Sequence, residues 1–384
     1  MSQVYEPQED SYLLAEQVKK YAKGNVLDMG TGSGIQAITA SKCKNVKKVT
    51  AVDVNPKAIK QSKKNALHQG IKNIKFIEGY LFDKVKGKFD TIIFNPPYLP
   101  DDIKAKDVAL DGGKKGYEVL GKFIQQVNNH LNPNGKVLFI FSSLTNKQKV
   151  NEFLEENMLD FEEIASQGLF MEKLFVYIIE KSNIRRELEK KGVNNLQYFD
   201  HGKRGLIFTG IYKKKKVAIK IKRPSSEAHN RIENEVYWLK RLNKKNIGPN
   251  LFLAGKGYLV YEFVEGDFIL DYIEKSNKTA IKKTLKAIFK QLLEMEEMKV
   301  NKEEMHHPIK HIIVNKKPTM IDFERCHISK DLKNVTQFCQ FLSGHLCQNL
   351  NAKGLKYTPD QIRAAAKQYK EDDNIEAIYK VINI

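Results

Sequence analysis

The residues that point most directly to chemistry are Asn95-Pro96-Pro97-Tyr98, which follow the aliphatic run Thr91–Phe94. Two consecutive prolines fix the backbone and remove two N–H donors, so the Asn95 side-chain oxygen and the Pro96 carbonyl remain as neighbouring acceptors. A planar NH2 group fits between them, and in-line positioning of such a group can supply roughly 7–11 kcal/mol. Tyr98 offers a flat wall for the substrate group. The predicted catalytic residues are therefore Asn95, Pro96 and Tyr98, and no strong general base is required.

A glycine-rich turn and a carboxylate earlier in the chain suit a cofactor that contains adenosine. The run Val26–Met29 leads into Gly30-Thr31-Gly32-Ser33-Gly34, and the next run, Val49–Val52, is followed by Asp53. Glycines let a ligand lie against bare backbone, and a carboxylate after the second strand can accept both hydroxyls of a ribose. Nicotinamide, flavin and S-adenosylmethionine sites share this pattern, and a tight strand–helix turn is its structural alternative. The Asn-Pro-Pro-Tyr segment favours S-adenosylmethionine.

These motifs together resemble a known family. Asn25–Gly34, Asp53 and Asn95–Tyr98 are similar to the NPPY class of S-adenosylmethionine-dependent amino-methyltransferases. The opening segment Val4–Leu14 resembles the start of the HemK-related release-factor glutamine N5-methyltransferases in their short archaeal and eukaryotic form. The segment Leu110–Gly116 resembles the loop that follows NPPY in that branch.

The resemblance covers about residues 1–181 and implies a fold and a substrate. The implied fold is α/β, with a seven-stranded Rossmann-like class I methyltransferase sheet. The implied reaction is methylation of the side-chain amide of the glutamine in the GGQ loop of a class-1 translation release factor. The short form usually works with a small zinc-binding activator subunit that covers an apolar sheet edge, so such a subunit is a predicted partner.

The resemblance also assigns roles to individual residues. Asp28 and Gly30 would border the methionine part of the cofactor, Asp53 would hold the ribose, and Asn95 would orient the glutamine amide. Where the family commonly has an acid that contacts the adenine amino group, this chain has Tyr80, which can hydrogen-bond or stack there. The other residues predicted to bind or close over the cofactor are Glu9, Asp10, Ser11, Gly32 and Gly34.

A different methyl acceptor meets the same geometry. The exocyclic amines of adenine and guanine in RNA or DNA are also planar NH2 groups, and a flipped-out base could stack on Tyr98. In that alternative, the C-terminal part of the chain would be a non-catalytic kinase-like module that binds RNA or ATP.

A second group of residues suits phosphate transfer. Val217–Lys220 reads as a strand with one inward lysine, and Glu235 follows on the next predicted helix; a lysine held by a carboxylate can bind nucleotide phosphates. Leu259–Gly266 resembles a kinase hinge strand, and Asp322 lies where a kinase holds magnesium. The stretch resembles atypical small kinases of archaea, near the RIO and lipopolysaccharide-kinase groups, with DFE in place of DFG. The predicted ATP-binding residues are Gly202, Gly205, Lys220, Glu235, Glu262 and Val264.

The catalytic loop departs most from that superfamily, which has an HxD segment with an asparagine five residues after the aspartate. Matching Ile312–Val314 to the strand after the loop puts His311 at the metal-binding asparagine and His306 at the catalytic aspartate. Allowing two extra residues makes Glu304 the acid, and Glu303 remains a further candidate. Glu304 is preferred, because a carboxylate can accept a hydroxyl proton. The predicted metal ligands are Asp322 and His311, for Mg²⁺ bound with ATP, and a pseudokinase is the alternative.

Two sets of elements must position these residues. From Asn25 to Glu180, short aliphatic runs alternate with longer segments of helical period, which predicts a mostly parallel sheet whose ligand lies beyond the carboxyl ends of its strands. The predicted strands are Val26–Met29, Val49–Val52, Ile74–Ile77, Thr91–Phe94, Lys136–Phe141 and Leu174–Ile179.

After the charged stretch Ser182–Lys191 the pattern changes to that of an α+β two-lobed domain. Hairpin-like strands at Leu206–Ile211 and Lys216–Ile221 precede helices predicted at about Ser226–Leu242 and Thr279–Met298. The predicted organisation is a methyltransferase domain over 1–181, a linker over 182–194 and a protein-kinase-like domain over 195–384.

Composition limits the class of protein. The 384 residues have 41% hydrophobic content, but no apolar run approaches the roughly 18 residues that span a bilayer, and the acidic start argues against a secretory signal. The four scattered cysteines indicate reduced thiols, so we expect a cytoplasmic protein. The formal charge is +19, of which about +15 lies after residue 181. This positive charge favours contact with RNA or the ribosome, and a generally lysine-rich surface is the alternative explanation.

Overall fold

The computed structural model describes residues 4–99, 113–201, 205–222, 231–344 and 346–384. The chain divides into two compact units, Met1–Lys191 and Gly192–Ile384. No helix in these described ranges is long and apolar enough to cross a membrane. All four cysteines are free thiols, and Cys326, Cys339 and Cys347 are buried.

The first unit is built on a seven-stranded mixed sheet, as expected for a Rossmann-like class I methyltransferase fold. The order is β3-β2-β1-β4-β5-β7-β6; β1 to β5 are parallel, and β7 is antiparallel to both of its neighbours. The strands are β1 (Gly24–Met29), β2 (Val46–Asp53), β3 (Ile74–Glu78), β4 (Phe89–Phe94), β5 (Leu131–Ser142), β6 (Leu159–Gly168) and β7 (Lys173–Lys181).

Helices cover both faces of this sheet and bury an apolar layer on each. One layer holds Leu27, Ile92 and Phe139, and the other holds Val26, Ile93 and Leu138, because successive strand residues point to opposite faces. The helices of the first unit are α1 (Glu9–Tyr21), α2 (Ile35–Ser41), α3 (Pro56–His68), α4 (Glu118–His130), α5 (Lys147–Glu155) and α6 (Asn183–Lys190).

The parallel strands bring the predicted site residues to one edge of the sheet. Met29, at the end of β1, is paired with Val52 of β2 on one side and with Phe94 of β4 on the other. The segments that follow these three strands therefore leave the sheet side by side. That arrangement puts the glycine turn, Asp53 and Asn95 at the same edge.

Helix α6 belongs to the first unit, although the sequence placed it in a linker. Ser182 caps its first turn by accepting a hydrogen bond from the Arg185 N–H, and Leu188 is fully buried. Glu189 holds two cations, with Lys181 Nζ 2.8 Å and Arg185 Nε 2.9 Å from its carboxylate oxygens. The Lys181 side chain is only 1% exposed, so this carboxylate balances a charge that water does not reach.

We expect Glu189→Gln to lower the free energy of unfolding of the first unit by about 3 kcal/mol, because it leaves Lys181 and Arg185 without a counter-charge. Glu187→Gln is the matched control, since Glu187 pairs with Lys191 in solvent, where an ion pair contributes about 0–1 kcal/mol. Chemical denaturation followed by circular dichroism measures both. Equal effects of the two substitutions would contradict the structural role of α6.

The second unit begins with a five-stranded antiparallel sheet in the order β11-β12-β10-β9-β8. The two hairpin strands predicted at 206–211 and 216–221 lie inside it as β9 and β10. Their tight turn uses left-handed backbone at Lys213 and Lys214. The strands are β8 (Asn194–His201), β9 (Gly205–Tyr212), β10 (Lys215–Lys222), β11 (Leu251–Gly255) and β12 (Tyr258–Glu262).

The rest of the second unit is mainly helical and packs around one apolar core. Helix α9 places Ile281, Leu285 and Ile288 in that core, the face that its spacing predicts. The short strands are β13 (Asp267–Phe268), β14 (Val300–Asn301), β15 (Ile312–Val314), β16 (Pro318–Met320) and β17 (His327–Ile328), with β13, β15 and β16 forming one small sheet and β14 and β17 another. The helices are α7 (Arg231–Leu242), α8 (Ile269–Lys275), α9 (Lys278–Glu297), α10 (Asn334–Ser343), α11 (Cys347–Ala352), α12 (Pro359–Asp372) and α13 (Glu376–Ile382).

Two edge strands, β6 and β8, were not predicted from the sequence. In β6, polar residues such as Glu162 and Glu163 occupy an edge of the first sheet, so the strand lacks the aliphatic run that marks its neighbours. Strand β8 lies at the edge of the second sheet and is similarly polar. The predicted start of α7 near Ser226 and residues 110–112 of the loop after Tyr98 lie outside the described residues.

Candidate active site

A cavity of about 200 Å³ opens at the carboxyl ends of β1, β2 and β4. Glu9, Asp28 and Gly34 do not line it: Glu9 is exposed on α1, while Asp28 is buried beneath the glycine turn. The predicted residues that line the cavity are Asp10, Ser11, Gly30, Gly32, Asp53, Tyr80, Asn95, Pro96 and Tyr98.

The glycine turn has backbone dihedral angles that residues other than glycine rarely adopt. Gly30, Gly32 and Gly34 have φ values of 65°, 53° and 89°, all in the left-handed region. The turn is fixed at its centre because the Thr31 N–H donates to the Val52 carbonyl at 2.9 Å. The Gly34 N–H donates to the Thr31 carbonyl at 2.7 Å, which closes the turn before α2 begins.

Among the three glycines of the turn, Gly34 is the one whose replacement we expect to be most costly. A Cβ there would lie 2.9 Å from the Ser62 Cβ of α3, in addition to the strain of its positive φ. We expect Gly34→Ala to destabilise the first unit by about 3 kcal/mol. Gly70→Ala is the matched control, because Gly70 has a φ of 70° but open space around it, and it should cost only about 1 kcal/mol. Equal losses in a denaturant titration would show that close packing under the turn is unimportant.

Asp28 supports the turn from below. Its Oδ2 accepts hydrogen bonds from the Thr31 hydroxyl at 2.6 Å and from the Ala37 N–H at 3.0 Å. Burial raises the pKa of Asp28 to about 7, although these two hydrogen bonds oppose the shift. Asp28 therefore shapes the turn and the start of α2.

Both carboxylate oxygens of Asp53 accept backbone hydrogen bonds at the wall of the cavity. Its Oδ2 accepts from the Gly32 N–H at 2.9 Å, and its Oδ1 accepts from the Asn55 N–H at 2.8 Å. These bonds fix the carboxylate at the cavity wall, and each oxygen keeps a second lone pair for a hydroxyl. Burial raises the pKa of Asp53 above its ordinary value.

Asn95 is held by one end of its side-chain amide. Its Nδ2 donates to Asp10 Oδ2 at 2.8 Å, and a carboxylate only accepts, so the nitrogen must be the atom that faces Asp10. The other end of the amide, Oδ1, is buried and has no hydrogen-bond partner among the described residues. A buried acceptor without a partner is costly, so this oxygen is an expected contact point for a donor from a ligand.

Two tyrosines complete the group around Asp10, and one of them was not predicted. The Tyr98 hydroxyl lies 3.4 Å from Asp10 Oδ2, and the Tyr5 hydroxyl donates to Asp10 Oδ1 at 3.0 Å. Burial, with the nearby charge of Asp10, raises the pKa of both tyrosines, so both remain protonated donors. Tyr5 belongs to the opening segment that carries the resemblance, but nothing in its spacing connects it to Asp10. Thr145 anchors the Tyr98 carbonyl at 3.0 Å.

The first unit is similar to known methyltransferases. The family model described as Methyltransferase small domain matches residues 6–171. A relative from Methanocaldococcus jannaschii, named "putative protein N5-glutamine methyltransferase", is 44% identical over 156 residues, which cover 39% of this chain and 78% of that protein. The chain belongs to the HemK-like N5-glutamine methyltransferases. The membership rests on the first unit, which is an S-adenosylmethionine-dependent methyltransferase.

Two further comparisons show lower sequence identity. The release factor glutamine methyltransferase of Deinococcus radiodurans is 33% identical over 136 residues, 33% of this chain and 49% of that protein. The solved E. cuniculi Mtq2–Trm112 complex, described as responsible for methylation of the eRF1 translation termination factor, is 23% identical. That match covers 46% of this chain and 98% of the solved chain, with a TM-score of 0.38.

The second unit of this HemK-like protein brings a lysine together with three carboxylates. Lys220 Nζ lies 2.8 Å from Glu235, 3.0 Å from Asp322 and 3.1 Å from Glu324. Burial lowers the pKa of Lys220, but the three carboxylates outweigh it and hold the pKa well above its ordinary value. The other oxygen of Glu235 accepts from the Phe323 N–H at 3.2 Å, which ties α7 to the segment around Asp322.

Asp322 has an unusual backbone and a shifted pKa. Its φ is 62°, in the left-handed region, which is strained for most residues other than glycine and which Asp adopts more readily than most. Burial raises its pKa, yet Lys220 and Lys302 lower it more, to about 2. Lys302 also donates to the Asp322 carbonyl oxygen. Neither Lys302 nor Glu324 was singled out from the sequence.

The structure brings Glu304, His311 and Asp322 together. His311 Nε2 lies 3.8 Å from Glu304 Oε2 and 3.8 Å from Asp322 Oδ2. Arg325 contacts the other oxygen of Glu304. Of the three residues predicted as alternatives for the acid, Glu304 lies in this group, whereas His306 and Glu303 are exposed.

The remaining predicted nucleotide contacts lie apart from one another in the chain. Gly205 begins β9 and lines a small pocket with Lys220 and Arg231. Glu262 ends β12 and is exposed, with its carboxylate 2.6 Å from the Asn250 amide nitrogen, and Val264 follows it half-buried. Gly202 lies outside the described residues.

Proposed function

We propose that the first unit methylates the side-chain amide nitrogen of the GGQ glutamine in a class-1 translation release factor. The observation that carries this proposal is the Asn95 Oδ1, a buried acceptor without a partner among the described residues, on a side chain that lines the cavity. A primary amide offers the hydrogens that this oxygen lacks. Relatives named as release factor glutamine methyltransferases support the choice of substrate.

The roles of the residues follow from their geometry. Asn95 Oδ1 and the Pro96 carbonyl would each accept one hydrogen of the glutamine NH2, and Tyr98 would flank the amide plane. Asp53 would hold the ribose of S-adenosylmethionine, which supplies a methyl group on positively charged sulfur. The glutamine nitrogen gains the methyl group as the sulfur–carbon bond breaks, and it loses one proton to water. The residues contribute positioning.

Transfer of a tritiated methyl group tests the substrate. The purified chain, S-adenosylmethionine and a class-1 release factor should give labelled factor. A factor whose GGQ glutamine is replaced by alanine should give none. Ribosomal RNA is the second acceptor to offer, because an exocyclic base amine meets the same geometry. Labelled RNA with unlabelled factor would overturn the proposed substrate in favour of the nucleic-acid alternative.

A small zinc-binding subunit is the proposed partner of the first unit. Strand β3 is an edge strand of the sheet, and its apolar residues Ile74, Phe76 and Ile77 are only partly buried. An exposed sheet edge is a site where a further strand can pair. Methylation of the release factor with and without a zinc-binding helper measures how far the activity of the first unit depends on this partner. A partner at this edge should also increase the soluble yield of the chain when the two are co-expressed.

We also propose that the second unit is kinase-like and binds ATP with Mg²⁺. The ion pair of Lys220 and Glu235 supports phosphate binding, because it holds the ammonium group in one position. The strained backbone of Asp322 and its neighbour His311 support a metal site at the phosphates. Glu304 is the proposed base, because it lies with both residues and a carboxylate can accept a hydroxyl proton.

A further inference from the structure

The buried Asp10 carboxylate accepts more hydrogen bonds from protein groups than a residue that only binds the cofactor would need. It lies in the first turn of α1 and is only 4% exposed. Oδ1 accepts from the Tyr5 hydroxyl at 3.0 Å, from the Ser11 N–H at 2.6 Å and from the Ser11 hydroxyl at 3.2 Å. Oδ2 accepts from Asn95 Nδ2 at 2.8 Å and lies 3.4 Å from the Tyr98 hydroxyl. Protein donors therefore occupy both of its oxygens.

We propose that Asp10 is a positioning residue that selects the reactive orientation of the Asn95 amide. This inference rests on the proposed function, because it concerns how Asn95 receives the glutamine. The two ends of a side-chain amide have nearly the same shape, so packing alone does not distinguish them. A carboxylate distinguishes them fully, since it attracts the NH2 end and repels the oxygen. Asp10 thereby leaves Oδ1 of Asn95 as the end that meets the substrate.

The opposite orientation of Asn95 would block the reaction. An inverted amide would put its oxygen against the Asp10 carboxylate and present NH2 hydrogens to the NH2 group of the glutamine. Two donors facing each other make no hydrogen bond, so the substrate amide would lose one of its two acceptors. The distance of 85 residues between Asp10 and Asn95 in the chain explains why the sequence contains no sign of this contact.

We expect the substitution Asp10→Asn to reverse the orientation of the Asn95 side-chain amide. The single side-chain oxygen left at position 10 would be taken by the Tyr5 and Ser11 donors, so the new NH2 group would face Asn95. Asn95 would then turn its own oxygen towards position 10 and its NH2 towards the substrate. We expect kcat for methyl transfer to fall about 100-fold, with the Kd for S-adenosylmethionine unchanged within about twofold.

A reciprocal exchange distinguishes positioning from a general structural role. In the double variant Asp10→Asn, Asn95→Asp, the amide at position 10 can donate to one carboxylate oxygen at position 95, and the other oxygen can accept from the substrate. We expect this double variant to be about tenfold faster than Asp10→Asn, because the hydrogen bond and the acceptor both return. Asn95→Asp alone puts two carboxylates in contact and should be as slow as Asp10→Asn. Glu16→Gln is the charge control on an exposed position of the same helix.

A spectroscopic measurement keeps the inference testable without any methyl acceptor. In the ¹⁵N-labelled full chain, the Asn95 side-chain NH2 should exchange slowly with solvent, because it donates to a buried carboxylate. This protection should be lost in Asp10→Asn and kept in Glu16→Gln. Failure of the wild-type chain to label a release factor would overturn the proposed substrate, but it would leave this measurement intact.

Two results would overturn the role of Asp10. One is a tenfold or larger rise in the Kd for S-adenosylmethionine in Asp10→Asn with kcat little changed, since that is the behaviour of a cofactor ligand. The other is an Asn95 NH2 group that exchanges equally fast in the wild type and in Asp10→Asn. Thermal unfolding of each variant identifies any variant that fails to fold. If Asp10→Asn fails to fold, the methyl-transfer rate of the reciprocal double variant tests the role of Asp10.

Discussion

Replacing Asn95 by alanine should lower kcat for methyl transfer to a release factor by about 100- to 1,000-fold. The substitution removes the buried Oδ1 that would accept from the glutamine NH2 and leaves only the Pro96 carbonyl to orient the nitrogen. The Kd for S-adenosylmethionine should change little, because Asp53 and the glycine turn would hold most of the cofactor. Initial rates of tritium transfer and calorimetric titration of the cofactor measure the two effects separately.

Asn132→Ala is the matched control for this prediction. Asn132 is also a half-buried asparagine whose amide donates to a carboxylate, that of Asp90 at 2.7 Å, but it lies near the start of β5, away from the carboxyl ends of the strands. It should keep a methylation rate within about twofold of wild type. An Asn95→Ala rate above half of the wild-type rate would contradict the catalytic role of the amide.

Replacement of Lys220 or Asp322 should abolish any ATP hydrolysis or autophosphorylation by the second unit. Lys220→Ala removes the cation that would bind the phosphates, and Asp322→Asn removes the charge that would hold Mg²⁺. We expect at least a roughly 100-fold loss of the rate in each variant. Lys220→Ala also leaves the buried Glu235 without its partner, so Asp322→Asn is the variant that tests chemistry with less risk to folding.

The control for the second unit lies on the same strand as Lys220. Lys216→Ala removes an equal charge from β10, but Lys216 is half-exposed and faces Glu265 in solvent. It should retain the wild-type rate. ATP binding and hydrolysis that are the same in Asp322→Asn and in the wild type would overturn the kinase-like proposal. RNA binding with a steep salt dependence and no ATP binding would instead favour a scaffold.

Three of the features predicted for the site of the first unit lie at strand ends, and the sequence is sufficient to place these three together. The aliphatic runs of β1, β2 and β4 are easily recognised, and parallel strands bring their carboxyl ends to one edge. The glycine turn, Asp53 and Asn95 must then lie close together. The same reasoning does not reach β6, whose alternating polar residues and edge position remove the apolar run on which strand prediction depends.

Contacts between distant segments were beyond sequence reasoning. Asp10 was predicted to close over the cofactor, and the sequence contained no sign that its oxygens accept hydrogen bonds from Tyr5, Ser11 and Asn95. In the second unit, the spacing left Glu303, Glu304 and His306 as alternatives. Only the folded loop brings Glu304 to His311, with the Glu304 backbone at a φ of 71°. An irregular loop has no repeating sequence pattern, so the directions of its side chains cannot be predicted from the sequence.

The most direct test of the central claim is to locate the methyl group. A class-1 release factor is incubated with the wild-type chain and S-adenosylmethionine, digested and analysed by tandem mass spectrometry. We expect a single added methyl group on the side-chain amide of the GGQ glutamine, absent when Asn95→Ala replaces the wild type. A methyl group on any other residue, or on that glutamine at the same level with Asn95→Ala, would contradict it.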